Sequence, residues 1–164
     1  MKKNRVVCIG EALIDRIRNK SNNGFTDFLG GAPANVACAL GKLKINSIFI
    51  GRLGSDDFGK NFIEQFNKLK VNLNFLQLDN DSPTRVVNVD RDQFGDRFFS
   101  GFEQGSHSFF ADEALNKELI EIELPNLEKI FQETKYLVTG TNVLSSPISS
   151  EAIFFLLEQA NKFE

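Results

Sequence analysis

Residues 30–37 read Gly-Gly-Ala-Pro-Ala-Asn-Val-Ala, a glycine pair that opens onto a run of small residues. Adjacent glycines let the backbone approach a ligand or hinge between two states. Pro33 suits the first turn of a helix, where a missing N–H costs nothing. Such a helix start carries free N–H groups, and Asn35 adds both a donor and an acceptor. On these residues alone, an ordinary tight turn and a ligand-facing hinge both remain open. The stretch is not G-x-G-x-x-G, and G-x-x-x-x-G-K-[ST] occurs nowhere in the chain, so neither a dinucleotide fingerprint nor a Walker loop is present.

Working outward, residues 5–9 predict a short buried strand of β-branched residues closed by Gly10. A helix follows over 34–43, then a second buried strand over 47–50 ended by Gly51. Ser55 or Asp56 caps a helix running to about Leu69, with Phe58, Phe62, Ile63 and Phe66 on one face. Residues 51–59 therefore read as strand exit, turn and cap. Further on, 84–89 and 97–102 predict a hairpin around the polar turn 90–96, with Val87 and Val89 on one face. A helix over 126–133, a strand over 135–138 and a helix over 150–163, capped by Ser149 or Ser150, complete the pattern. Strands alternating with helices imply an α/β fold, a mostly parallel sheet flanked by helices. Segments 14–29 and 84–102 break that rhythm and predict a small antiparallel flap. A helix following the last strand should lead to another strand, which is the mark of an incomplete domain.

The chain has 164 residues, 41% of them hydrophobic and 25% charged. That is enough for one ordinary domain, which can bury roughly 70% of its unfolded surface. Nineteen basic against 22 acidic residues give a net charge of −3, which argues against a nucleic-acid partner. Cys8 and Cys38 lie in apolar runs and read as reduced core thiols. The apolar run after the basic start, residues 6–9, is shorter than the roughly 7–15 residues of an export signal. The longest later run, 153–157, is far below the roughly 18 of a membrane span. A cytoplasmic protein with no membrane partner is expected. His107, the only histidine, sits in a polar loop and reads as a surface residue. Metal-ligand spacing is absent. Asp15 follows the first strand, where open α/β sheets bind ligands; it reads equally as a solvated loop aspartate. A Rossmann module fits the βα rhythm but lacks the glycine fingerprint.

Three motifs appear in register: Gly-Glu-Ala-Leu-Ile-Asp at 10–15, Gly-Gly-Ala-Pro-Ala-Asn-Val-Ala at 30–37 and Gly-Arg-Leu-Gly-Ser-Asp-Asp-Phe-Gly at 51–59. With Pro83-Thr84-Arg85 and the hairpin at 92–99, they resemble the amino-terminal half of the ribokinase-like (PfkB) sugar kinases, fructokinases above all. The resemblance spans residues 1–164 and implies about half of the full fold, with 14–29 and 84–102 as a β lid. It also implies that Asp15 accepts hydrogen bonds from sugar hydroxyls, that Gly30 and Gly31 line the sugar and act as the hinge, that Asn35 contacts a hydroxyl, and that Arg97 lies over the sugar. A polyol is discriminated by the buried polar groups that a wrong sugar leaves unpaired. Lys44 departs from the family's preference for a small residue after the helix, a site that favours glycine.

In that family ATP and Mg2+ are bound by a later signature, Asp-Thr-x-Gly-Ala-Gly-Asp, which also supplies the base. No Gly-Ala-Gly-Asp occurs in this sequence, so the resemblance implies a kinase chain that stops before the ATP site and has no catalytic residue of its own. The alternatives are a sugar-binding half that pairs with a separate carboxyl-terminal partner, and a non-functional remnant. A homodimer through the lid is a further expectation.

Overall fold

The computed structural model describes residues 4–19, 24–94, 96–103 and 109–163. Gly95 of the predicted turn and His107 lie outside them. In chain order the elements are β1 (Arg5–Ile9), β2 (Leu13–Arg18), β3 (Phe25–Gly30), α1 (Ala32–Lys42), β4 (Ser47–Gly54), α2 (Asp57–Lys68) and β5 (Asn72–Asp79). They continue with β6 (Val86–Arg91), β7 (Arg97–Phe102), α3 (Lys117–Ile122), α4 (Leu124–Glu133), β8 (Thr134–Thr139) and α5 (Pro147–Asn161).

The first sheet is parallel throughout, in the order β5-β4-β1-β8. Its central strand alternates between two cores. Val7 and Ile9 pack with Ile130, Phe131, Ile153 and Leu156 of α4 and α5. Val6 and Cys8 pack with Ala34 and Ala37 of α1 and with Phe62 and Phe66 of α2. Both faces of β1 are thus apolar, which is why its sequence is a continuous hydrophobic run. Phe49 and Phe66 stack with ring centroids 4.9 Å apart. Both cysteines are free, Cys8 buried and Cys38 only half-buried; burial, followed by the nearby Cys38, pushes the Cys8 thiol up to about 12.

The second sheet has the order β3-β2-β6-β7. Each predicted flap segment folds into an antiparallel pair, β2 with β3 and β6 with β7. The two pairs join through β2 and β6, which run parallel. The sheet is therefore mixed rather than wholly antiparallel. The reason lies in the first sheet: β2 follows β1 and β6 follows β5, and both feeder strands leave the same edge pointing the same way.

Several local expectations shift. β4 runs on to Gly54, because Gly51 continues the pairing with Leu76 of β5 and packs so close to Gly10 that a Cβ would stand 2.5 Å from its carbonyl oxygen. Asp56 caps α2, its Oδ1 accepting the Gly59 N–H at 2.8 Å. It also accepts the Thr84 N–H at 2.7 Å and the Thr84 hydroxyl at 2.9 Å, tying the cap to the start of the β6 segment. α5 begins at Pro147 with Ser146 as its cap, three residues before the expected start. The Ser149 hydroxyl is engaged elsewhere, donating to the Asp112 carbonyl and accepting the Leu115 N–H. Lys44 adopts φ 58 after α1, and the Ile45 N–H returns to the Leu40 carbonyl at 2.9 Å, which is the left-handed helix end that favours glycine. No helix among the described residues is long and apolar enough to cross a membrane.

Candidate functional site

The carboxyl ends of β1 and β8 and one face of the second sheet enclose a cleft of about 520 Å³. Ligands in open α/β folds bind at this edge, beyond the carboxyl ends of the parallel strands. Alternation along β2 sends Leu13 and Asp15 to the cleft face and Ile14 to the core beneath. Val87 on β6, Phe99 and Phe102 on β7, and Asn142 after β8 complete the walls.

Asp15 is half-buried. Burial raises its carboxyl above the ordinary value of 3.8, while the charge of Arg97 pulls it back. Gly30 pairs with Leu13 across the β2–β3 ladder, and a Cβ on it would stand 2.5 Å from Asp15 Oδ2. The glycine is the space the carboxylate occupies. Gly31 has φ 92, and a Cβ there would stand 2.5 Å from the Glu11 carbonyl oxygen. Here glycine is required twice, by conformation and by close approach.

Of the five residues read from the sequence, Asp15 and Gly31 line the cleft and Gly30 lies directly under Asp15. Arg97 stands at the outer end of the same sheet face, on the strand pair β6–β7. Asn35 is exposed on the first turn of α1, where its N–H reaches the Gly31 carbonyl at 2.9 Å. It is not among the cleft walls.

Glu11 and Asn142 were not legible as site residues. Glu11 is only 5% exposed. Its Oε1 accepts the Ala32 N–H at 3.3 Å, capping α1 from the link between β1 and β2, and its Oε2 has no hydrogen-bond partner among the described residues. Burial lifts its carboxyl above the usual range. The one available signal was a carboxylate placed immediately after a strand-ending glycine. Asn142 had none, since it stands two residues past a glycine in a serine- and threonine-rich loop.

The inner end of the cleft thus presents carboxylates and an amide against the apolar surfaces of Leu13, Val87 and Phe99. That is a surface for hydroxyl groups, each able to donate to a carboxylate while its carbon skeleton lies on apolar side chains. It does not suit a nucleoside triphosphate, whose negative charge the carboxylates would repel. No group of three or more metal-binding side chains is clustered among the described residues.

The pfkB family carbohydrate kinases match residues 3–164. The chain belongs to this family. A probable fructokinase-5 of Arabidopsis thaliana is 37% identical over 122 residues, covering 70% of this chain and 38% of that protein. A fructokinase of Salmonella typhimurium is 30% identical over 154 residues, 94% of this chain and 46% of its own length. The crystal structure of a Xylella fastidiosa fructokinase with bound ATP superposes with a TM-score of 0.82 at 27% identity, covering 98% of this chain and 46% of that one. The chain therefore spans less than half the length of each of these three relatives. Its parallel sheet and attached mixed sheet are the amino-terminal portion of the fructokinase fold.

Proposed function

We propose that this chain is the acceptor-sugar side of a fructokinase-like kinase of the cytoplasm, which transfers the γ-phosphoryl group of magnesium ATP to a sugar hydroxyl. Asp15 carries the reading: a half-buried carboxylate on an apolar face, seated over Gly30 at the ligand-binding edge of the sheet. In this reading Asp15 accepts hydrogen bonds from two sugar hydroxyls, Gly30 and Gly31 let the sugar approach the backbone, and the second sheet closes over it as the lid. Arg97 reaches in from the lid, and Asn35, on the first turn of α1, contacts a hydroxyl. In this reading the residues of this sequence neither bind the nucleotide nor supply the base. Accordingly, the purified chain with magnesium ATP and fructose releases no sugar-dependent ADP. Release at a rate above the sugar-free blank overturns that assignment.

One observation favours a partner. β8 is an edge strand with Tyr136 59% exposed, beside an apolar cleft walled by Phe131, Leu137, Leu157 and Phe163. A strand bearing such a surface is normally covered on both faces. A separate carboxyl-terminal portion of a fructokinase would dock there, and mixing the two restores ADP release; a mixture as inactive as either piece removes this reading. Phe25, Phe28, Phe98 and Phe99 stay exposed on the second sheet and support self-association through the lid, which light scattering checks.

A further inference from the structure

Two stretches of the sequence share a pattern, Gly-Lys-Leu-Lys-Ile-Asn at 41–46 and Asn-Lys-Leu-Lys-Val-Asn at 67–72. Each ends a helix and leads into a strand, α1 into β4 and α2 into β5. Both helices close in the same way. The Lys44 N–H donates to the Gly41 carbonyl and the Ile45 N–H to the Leu40 carbonyl, at 3.0 and 2.9 Å. Likewise the Lys70 N–H donates to the Asn67 carbonyl and the Val71 N–H to the Phe66 carbonyl, both at 3.0 Å. The two ends abut, since a Cβ on Gly41 would stand 2.5 Å from the Leu69 carbonyl oxygen. There they form a hollow of about 620 Å³, lined by Lys42, Lys44, Lys68 and Lys70 together with the apolar Ile45 and Leu69. It lies at the amino ends of the paired strands β4 and β5, the edge of the sheet opposite the Asp15 cleft.

Helix chemistry accounts for half of this cluster. Lys42 and Lys68 lie in the last turns, where a cation complements the helix dipole. Lys44 and Lys70 lie beyond the helices in a left-handed backbone, at φ 58 and 57, where glycine is favoured. Among the described residues they are the two non-glycine positions with positive φ. None of the four ammonium groups has an ion-pair or hydrogen-bond partner among the described residues, whereas Lys60 and Lys117 meet carboxylates at 2.8 and 3.1 Å. No carboxylate lines the hollow, in a chain whose net charge is −3. Four like charges are thus gathered, two of them on strained backbone, with nothing in the fold to offset them.

We propose that this hollow binds a small ligand carrying several phosphate groups, whose negative charge offsets the four lysines. The volume is that of a small-molecule site, roughly 300–1,000 Å³. Lysine meets phosphate as a point charge on a flexible stem, so ammonium groups from both helix ends converge on one polyphosphate. A single orthophosphate carries too little charge to engage both ends. The site shares no residue with the Asp15 cleft, so it stands whether or not that cleft takes a sugar.

Calorimetric titration of the full chain at pH 7 in 50 mM salt tests this with inorganic tripolyphosphate, inositol hexakisphosphate and orthophosphate. A polyphosphate binds about tenfold more tightly than orthophosphate or better, and 0.5 M salt shrinks that advantage because exposed charges are screened. The tighter of the two polyphosphates tells whether the ligand is an inorganic chain or an organic polyphosphate. Lys44→Gly combined with Lys70→Gly lowers the affinity by about tenfold or more, while the variant melts higher than the parent because the left-handed strain is gone. Lys44→Asn combined with Lys70→Asn, which also tolerates that turn, loses the same affinity. Excess tripolyphosphate raises the Tm of the parent and leaves that of both variants unchanged. Polyphosphates that bind no more tightly than orthophosphate overturn the proposal, and so does affinity that survives in the glycine pair, as it would if the lysines only ended the helices. Displacement of the bound polyphosphate by fructose places it in the Asp15 cleft and overturns the proposal as well.

Discussion

Gly30→Ala separates the sugar site from the fold more cleanly than any other single change. Gly30 does not have a positive φ, so alanine adds no backbone strain. What it adds is one methyl group at 2.5 Å from Asp15 Oδ2 and 2.9 Å from its Cγ, where ordinary contact begins at 3.4 Å. The carboxylate must retreat by about 0.9 Å, the difference between those contacts. Asp15 faces an open cleft, so the retreat is possible and the stability cost stays at the low end of overpacking, about 1 kcal/mol. Binding suffers more. Each hydrogen bond to a charged group contributes about 1.5–3 kcal/mol, and a carboxylate displaced by nearly 1 Å loses most of two of them. Roughly 3 kcal/mol corresponds to a loss of about 100-fold in affinity. Calorimetry with fructose gives the affinity, and a thermal melt of the same sample gives the stability. Fructose affinity within threefold of the parent, in a folded variant, would refute the placing of the sugar on Asp15.

Three further variants have defined outcomes. Asp15→Asn weakens fructose binding by at least about 100-fold, since the amide no longer accepts as a charged group at both positions. Burial holds the Asp15 carboxyl above its unfolded value, so its favourable contribution is present below about pH 3.8 and is lost as pH rises through the folded pKa; the asparagine variant is therefore the more stable at pH 7, checked by urea titrations at pH 4 and 7. Asp112→Ala strands Arg85, which is 4% exposed and bound to Asp112 at 2.9 and 3.0 Å. With Glu113 at 3.2 Å the one carboxylate left to it among the described residues, the loss is about 3 kcal/mol in urea denaturation. Lys44→Gly relieves a left-handed residue at φ 58, a gain of about 0.5–1 kcal/mol after the entropy of glycine in the unfolded chain, seen as a Tm rise of about 2 °C.

Legibility in the sequence followed the strength of local chemistry. β1 was readable to its ends because a run apolar on both faces can only be a central strand, and Gly10 closes it. The diglycine left a tight turn and a ligand-facing hinge both open, because the neighbours that demand glycine there, Asp15 and the Glu11 carbonyl, reach it only through the β2–β3 ladder and the fold of 11–31. β5 was missed because its apolar residues, Leu73, Phe75, Leu76 and Leu78, break alternation where the pairing register with β4 slips. α3 was missed because six residues carry too little periodicity. The cap of α5 was misplaced because Ser146, Ser149 and Ser150 look alike until Asp112 and Leu115 claim the Ser149 hydroxyl. Glu11 was passed over for a similar reason: its burial depends on α1 and Gly140, far away in the chain.

The central claim is that the sugar binds between the carboxyl edge of the parallel sheet and the inner face of the second sheet. Titration of fructose into isotope-labelled chain, followed by amide chemical shifts, tests it most directly. The account predicts the largest shifts at Glu11, Asp15, Gly30, Gly31, Val87 and Phe99, saturating together with one affinity. Shifts centred instead on Tyr136 and Phe163, or none at saturating fructose, would contradict it.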